Sequence, residues 1–159
     1  MIEGKTSALL GLACESGAYL GGADERTCKS LLRFGEKMGA AFQIHDDILN
    51  LTGSFEKYQK EIGGDITEGK RTLMVVHCLG RCTKKEKEKI ISVLDSHSRK
   101  KEDIEFVIKT FRENGSVEYA REIAIRLMEE AEKELSILAP CPAKDALVAL
   151  CDYIVTRDK

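Results

Sequence analysis

Proline is almost missing: the chain has two in 159 residues, so little in its composition interrupts a helix. An excess of one charge is missing too. The 25 Lys and Arg stand against 27 Asp and Glu, a net of -2, which argues against a nucleic-acid surface or a polybasic membrane patch. No stretch approaches the ~18 consecutive apolar residues of a membrane span. The opening Met1-Ile-Glu-Gly-Lys5 has neither the basic end nor the apolar run of a signal peptide. With no such signal, the six cysteines read as reduced, mostly buried thiols. No alternating strand, repeat or low-complexity tract is visible. These absences predict a single soluble all-α unit, residues 1–159, in the cytoplasm, with no nucleic-acid partner and no stable membrane insertion.

What is present is helical periodicity. Residues 4–20 are apolar on almost every side and break at Gly21-Gly22. A helix apolar all round is normally covered on all sides, so either the rest of the chain wraps this one or a further segment or partner does. Asp24 is a plausible N-cap for a long helix reaching about Leu51. Residues 52–69 read as a loop, and 70–81 as helix. Thr83-Lys-Lys-Glu86 has the form of a capping box. Ile104, Val107, Ile108 and Phe111 mark a helix stopped at Asn114-Gly115. Ser116 is expected to cap another through about Leu138, and Pro142 to open a last one ending near Arg157.

The chemistry is concentrated in two stretches. On the long helix Gln43, Asp46, Asp47 and Asn50 fall on one wedge roughly 100° wide, with no Lys or Arg at i±4 to neutralise it. Such an oxygen-rich face suits a hard cation such as Mg²⁺, which takes one or two carboxylates plus water and phosphate. His45 points to another side and reads as a packing or surface residue. The following loop carries Lys60, Gly63-Gly64-Asp65, Gly69 and Lys70, where spaced lysines and glycines suit a phosphate. It is not a P-loop, because Arg71 stands where Ser or Thr must hold the metal. Lys5-Thr6 opens the first helix, where exposed N–H groups favour an anion. His77-Cys78-x-x-x-Cys82 lacks a tetrahedral zinc set and reads as buried thiols.

Lys5-Thr6, Gly17-Ala18, Gly39-x-x-Phe42-Gln43-x-x-Asp46-Asp47-x-x-Asn50, Gly53, Lys60, Gly63-Gly64-Asp65-x-x-Glu-Gly-Lys70-x-Thr72 and the tail Tyr153 to Lys159 together resemble the isoprenyl (polyprenyl) diphosphate synthases. The pattern is nearest to geranylgeranyl diphosphate synthase. The resemblance implies a helical bundle of the isoprenoid/terpene synthase type. It also implies that this chain matches only the C-terminal half, the family's first aspartate-rich motif lying upstream of the Lys-Thr pair. Asn50 departs from the family's usual Asp at the third position of the second motif.

The activity implied is Mg²⁺-dependent head-to-tail condensation of an allylic diphosphate with isopentenyl diphosphate. By the same resemblance Asp46 would ligate Mg²⁺, Asp47 would support it, and Asp65 would orient metal-bound water. Lys5, Lys60 and Lys70 would hold the allylic diphosphate. Thr6 and Gln43 would turn oxygens toward the carbocation, and Arg157 or Lys159 would close over the second substrate. A complementary N-terminal half or partner subunit, and a homo- or hetero-oligomer, are expected. The competing reading is a non-catalytic regulatory or interaction subunit of the same ancestry.

Overall fold

The computed structural model describes residues 3–52 and 62–157. Lys60 and Lys159 lie outside the described residues, as do Gly53 and the side chain of Lys5. Among the described residues there is no strand. A π-helical turn, Glu3–Ser7, leads into α1 (Ala8–Leu20), followed by α2 (Glu25–Thr52), α3 (Gly64–Thr67), α4 (Leu73–Leu79), α5 (Lys84–Asp95), α6 (Lys101–Glu113) and α7 (Ser116–Glu134). A 3₁₀ turn, Leu135–Ile137, precedes α8 (Pro142–Thr156).

Local chemistry explains most boundaries. Asp24 Oδ1 accepts from Thr27 N at 2.8 Å and opens α2. The Thr83–Glu86 box is complete in both directions at the start of α5, and Pro142 occupies the first turn of α8. Three expectations shift, the first being that the stretch 52–69, read as a loop, holds the short helix α3 at Gly64–Thr67. The helix expected from residue 70 begins at Leu73, because Thr72 is its cap and accepts from Val75 N. Gly69, at φ +66, turns the chain just before it, and a Cβ there would lie 2.6 Å from Leu94 O. Ser116 is the first helical residue of α7 rather than its cap, with its Oγ 3.0 Å from His77 Nδ1.

The chain packs as two compact units, 3–45 with Ile123–Arg157, and Asp46–Glu122. In the first, Phe34, Met38, Ala41 and Ile44 of α2 and Ala124, Met128, Ala131 and Leu135 of the later chain are buried at helical spacing. α1 crosses α2 at backbone contact. A Cβ added at Gly35 would sit 2.5 Å from Leu10 O and 2.7 Å from Gly11 Cα, and one at Gly39 would sit 2.7 Å from Ser7 Cα. Gly35→Ala should therefore cost about 2 kcal/mol, a fall in melting temperature of roughly 5 °C. Gly17→Ala, with no described atom within 4 Å of its Cβ, should not lower it, since alanine favours the helix. Differential scanning calorimetry of the two variants checks the contrast.

The outer side of α1 is not wrapped by the described chain. Only Gly11 and Ala18 of this helix are buried, while Leu9, Leu12, Tyr19 and Leu20 are 67%, 56%, 75% and 84% exposed. Of the two arrangements open at the level of sequence, cover by this chain itself is not provided by the described residues.

A polar latch closes the first unit. The Glu134 carboxylate accepts from Arg33 Nε and Nη2 at 3.0 and 2.9 Å and from Lys37 Nζ at 3.1 Å, with Ser30 Oγ at 2.9 Å. The hydrogen bond from Arg33 leads, with Lys37 and Ser30 adding, and they hold this carboxyl down at about 2. Its contribution is complete above the ordinary glutamate value near 4.5 and is lost as pH falls through about 2. Glu134→Gln should therefore melt a few degrees below the wild type at neutral pH. That gap should close as the pH is lowered through this window, read by circular dichroism melts.

The second unit gathers Ile48, Leu51, Ile66, Met74, Val75, Ile90, Val93, Leu94, Val107 and Phe111 in its core. His77 stacks on Tyr119 with ring centroids 4.1 Å apart. Burial pushes the neighbouring Cys78 thiol up to about 12, far from the thiolate that metal binding or nucleophilic work requires.

Candidate active site

The unbroken helix α2 carries Gln43, Asp46, Asp47 and Asn50 at the spacing of a single face. In the first unit Thr6 Oγ1 donates to Gln43 Oε1 at 3.1 Å, which orients the Gln43 amide from the turn that precedes α1. His45 is buried, and its Nε2 lies 3.0 Å from Arg157 O. A carbonyl only accepts, so this nitrogen carries the proton. His45 is thus a packing residue that anchors the end of α8. The Arg157 guanidinium lies on the face of Phe42, its Cζ 4.3 Å from the ring centroid.

The second unit holds a tighter constellation. Lys70 Nζ donates to Asp47 Oδ1 at 2.8 Å and to Asp65 Oδ2 at 3.1 Å. Burial by itself pulls the Lys70 ammonium down, but the hydrogen bond and charge of Asp47 together with Asp65 outweigh it, and the net direction is up. Lysine 70 therefore stays charged. Asn50 ties the glycine turn to α2 from both ends: its Oδ1 accepts from Asp65 N at 3.0 Å, and its backbone O accepts from Gly63 N at 2.9 Å. In the sequence Asn50 stands as a neutral residue where the resembled family usually has a third carboxylate. Its clamping role was signalled only by the adjacent Gly63-Gly64, where backbone comes close.

Of the residues expected at the site, the structure pairs Thr6 with Gln43 and joins Asp47, Asp65 and Lys70. Arg157 is placed against Phe42. Asp46 is half-buried next to Asp47 in the chain. Among the described residues no group of three or more His, Cys, Asp or Glu side chains closes round a cation position. The donors at hand, Asp46, Asp47 and Asp65, are all carboxylates. This fits Mg²⁺, which is held through one or two carboxylates and takes its remaining oxygens from water and substrate phosphate; it fits a thiol- or imidazole-loving metal poorly.

Comparison with known proteins identifies chains similar to this one. The family model described as polyprenyl synthetase matches residues 1–111. The short chain isoprenyl diphosphate synthase of Methanothermobacter thermautotrophicus is 37% identical over 158 residues, covering 99% of this chain and 48% of that protein. Component 2 of the heptaprenyl diphosphate synthase of Bacillus subtilis is 31% identical over 156 residues, 98% of this chain and 44% of its own. The crystal structure of a geranylgeranyl pyrophosphate synthetase from Pyrococcus horikoshii superposes with a TM-score of 0.91 at 35% identity, over 99% of this chain and 47% of that one. The chain thus spans about half the length of the curated relatives it matches. With the all-α bundle, the carboxylate face of α2 and this family match over most of its length, the chain belongs to the polyprenyl synthetase family.

Proposed function

We propose that this chain supplies one wall of the active site of a head-to-tail prenyltransferase, which condenses an allylic diphosphate with isopentenyl diphosphate. The observation that carries the reading is the Asp46-Asp47 face of α2, with the Asp65–Lys70 turn fastened against it. Ionisation of an allylic diphosphate builds negative charge on the leaving diphosphate, and the rate depends on how well that charge is met. Asp46, with Asp47 and Asp65, would hold Mg²⁺, which when bound neutralises charge on the diphosphate oxygens.

Lys5 and Lys60 would bring ammonium charges to the phosphates, while the Lys70 ammonium is engaged with Asp47 and Asp65. The Thr6–Gln43 pair, held at 3.1 Å, presents oxygen dipoles to the allylic cation left behind. Isopentenyl diphosphate then attacks that cation, and the released diphosphate can accept the proton that is lost. Arg157 serves the second substrate in this scheme.

A complementary helical half completes the site, consistent with the open apolar side of α1 and with relatives about twice as long. That a similar protein is named component 2 of a synthase supports a separate partner subunit as one form of that complement. The test is incorporation of radiolabelled isopentenyl diphosphate into an organic-extractable product. The chain alone should give none. Addition of the part of the Methanothermobacter relative that lies outside the match should restore turnover. Failure of every complement, with all partners folded, would favour the regulatory-subunit reading.

A further inference from the structure

Lys70 sits differently from a lysine held ready for phosphate. Its ammonium is within 2.8 Å of Asp47 and 3.1 Å of Asp65, and these two carboxylates are 3% and 16% exposed. The cleft lined by Asp47, Asp65, Lys70, Thr72 and Phe111 has about 10 Å³ for water centres, room for one water at most. The contact is part of a closed circuit. Lys70 N also donates to Asp65 O at 2.9 Å, Asp65 N donates to Asn50 Oδ1 at 3.0 Å, and Asn50 lies one helical turn beyond Asp47 on α2. Asp47, Asn50, Asp65 and Lys70 thus fasten the turn 63–70 to α2, with the Lys70 ammonium between the two carboxylates.

We propose that Lys70 is a positioning residue, the built-in counter-cation of Asp47 and Asp65, and that a divalent cation gains those two carboxylates only by displacing its ammonium. This rests on the reading of the α2 carboxylates as the metal side of the site, and it changes the part Lys70 plays there. A buried and a half-buried carboxylate sharing one ammonium both gain from its positive charge. Lysine, a compact ammonium on a flexible stem, can supply that charge and then swing aside. Ammonium and metal compete for the same oxygens, so the site is preorganised without metal and the turn keeps its place.

The experiment compares wild type, K70M, K70R and D47N/K70M by melting in EDTA and in millimolar Mg²⁺, and by electron paramagnetic resonance titration with Mn²⁺. In EDTA K70M should melt roughly 10 °C below wild type, because a buried carboxylate has lost its cation. K70R and D47N/K70M should regain most of that loss. K70M should also bind Mn²⁺ at least about tenfold more tightly than wild type, since a competing charge is gone, and Mg²⁺ should restore part of its melting temperature.

A wild-type melting temperature and Mn²⁺ affinity in K70M, with only its stabilisation by inorganic diphosphate lost, would make Lys70 a phosphate ligand and overturn the proposal. A lowered melting temperature with unchanged Mn²⁺ affinity would reduce the contact to a scaffold ion pair and overturn the competition. Should K70M fail to fold, D47N/K70M must fold and melt near wild type, or the proposal fails. None of these readouts involves prenyl transfer, so an inert complemented enzyme would sink the proposed function and leave this result standing.

Discussion

Asp46→Ala should lower the turnover of the complemented enzyme by about 10²–10³ or more, an effect on the order of 3–5 kcal/mol. Asp46 and Asp47 are adjacent on α2 but differently placed. Asp47 is nearly fully buried and answers Lys70, whereas Asp46 is half-buried, which makes Asp46 the carboxylate better placed to meet a cation shared with substrate. In the proposed reaction, losing it would leave charge on the departing diphosphate uncompensated. Asn50→Asp should be tolerated, because a carboxylate oxygen can still accept from Asp65 N. His45→Ala should leave turnover near the wild-type value while lowering the melting temperature, since His45 is buried and holds Arg157 O. Steady-state rates of the three variants in one complemented background, measured below their melting temperatures, decide the matter. An equal loss for His45→Ala and Asp46→Ala would move the chemistry to the other side of α2.

Much of this arrangement is legible in the sequence because it is local. The Asp24 cap, the Thr83–Glu86 box and the buried run of α2 rest on groups three or four residues apart, where helix geometry alone fixes who meets whom. The bond between Lys70 and Asp47 spans 23 residues of sequence, and no periodicity announces it. Spacing showed two lysines and three aspartates with compatible chemistry, but whether Lys70 faces phosphate or carboxylate is settled by the turn at Gly69, a tertiary matter. Helical spacing likewise does not show that α1 lies across Gly35 and Gly39 at backbone distance. The burial of His45 belongs to the same class: it depends on α8, which is more than a hundred residues away.

The other large effect concerns α1. Leu9→Asp with Leu12→Asp should abolish complementation while leaving the melting temperature of the isolated chain within a degree or two, because both side chains are more than half exposed. α1 carries a single charged residue, Glu15, in thirteen, and an exposed helix this apolar calls for a covering surface. Each leucine buried by a partner contributes roughly 1.5–3 kcal/mol. An aspartate in its place forfeits that and adds the desolvation of a carboxylate, so two substitutions suffice to separate the halves at micromolar concentration. The occupant expected is the complementary half proposed above, because the chain superposes at a TM-score of 0.91 on 47% of a solved chain, whose remainder is about as long again. Sedimentation velocity on the chain alone separates this from self-association. A wild-type dimer that becomes monomeric in the double variant, with complementation intact, would make this face a contact between two copies instead. Full activity from the double variant with the wild type monomeric would leave α1 without a partner and place the seam between the halves elsewhere.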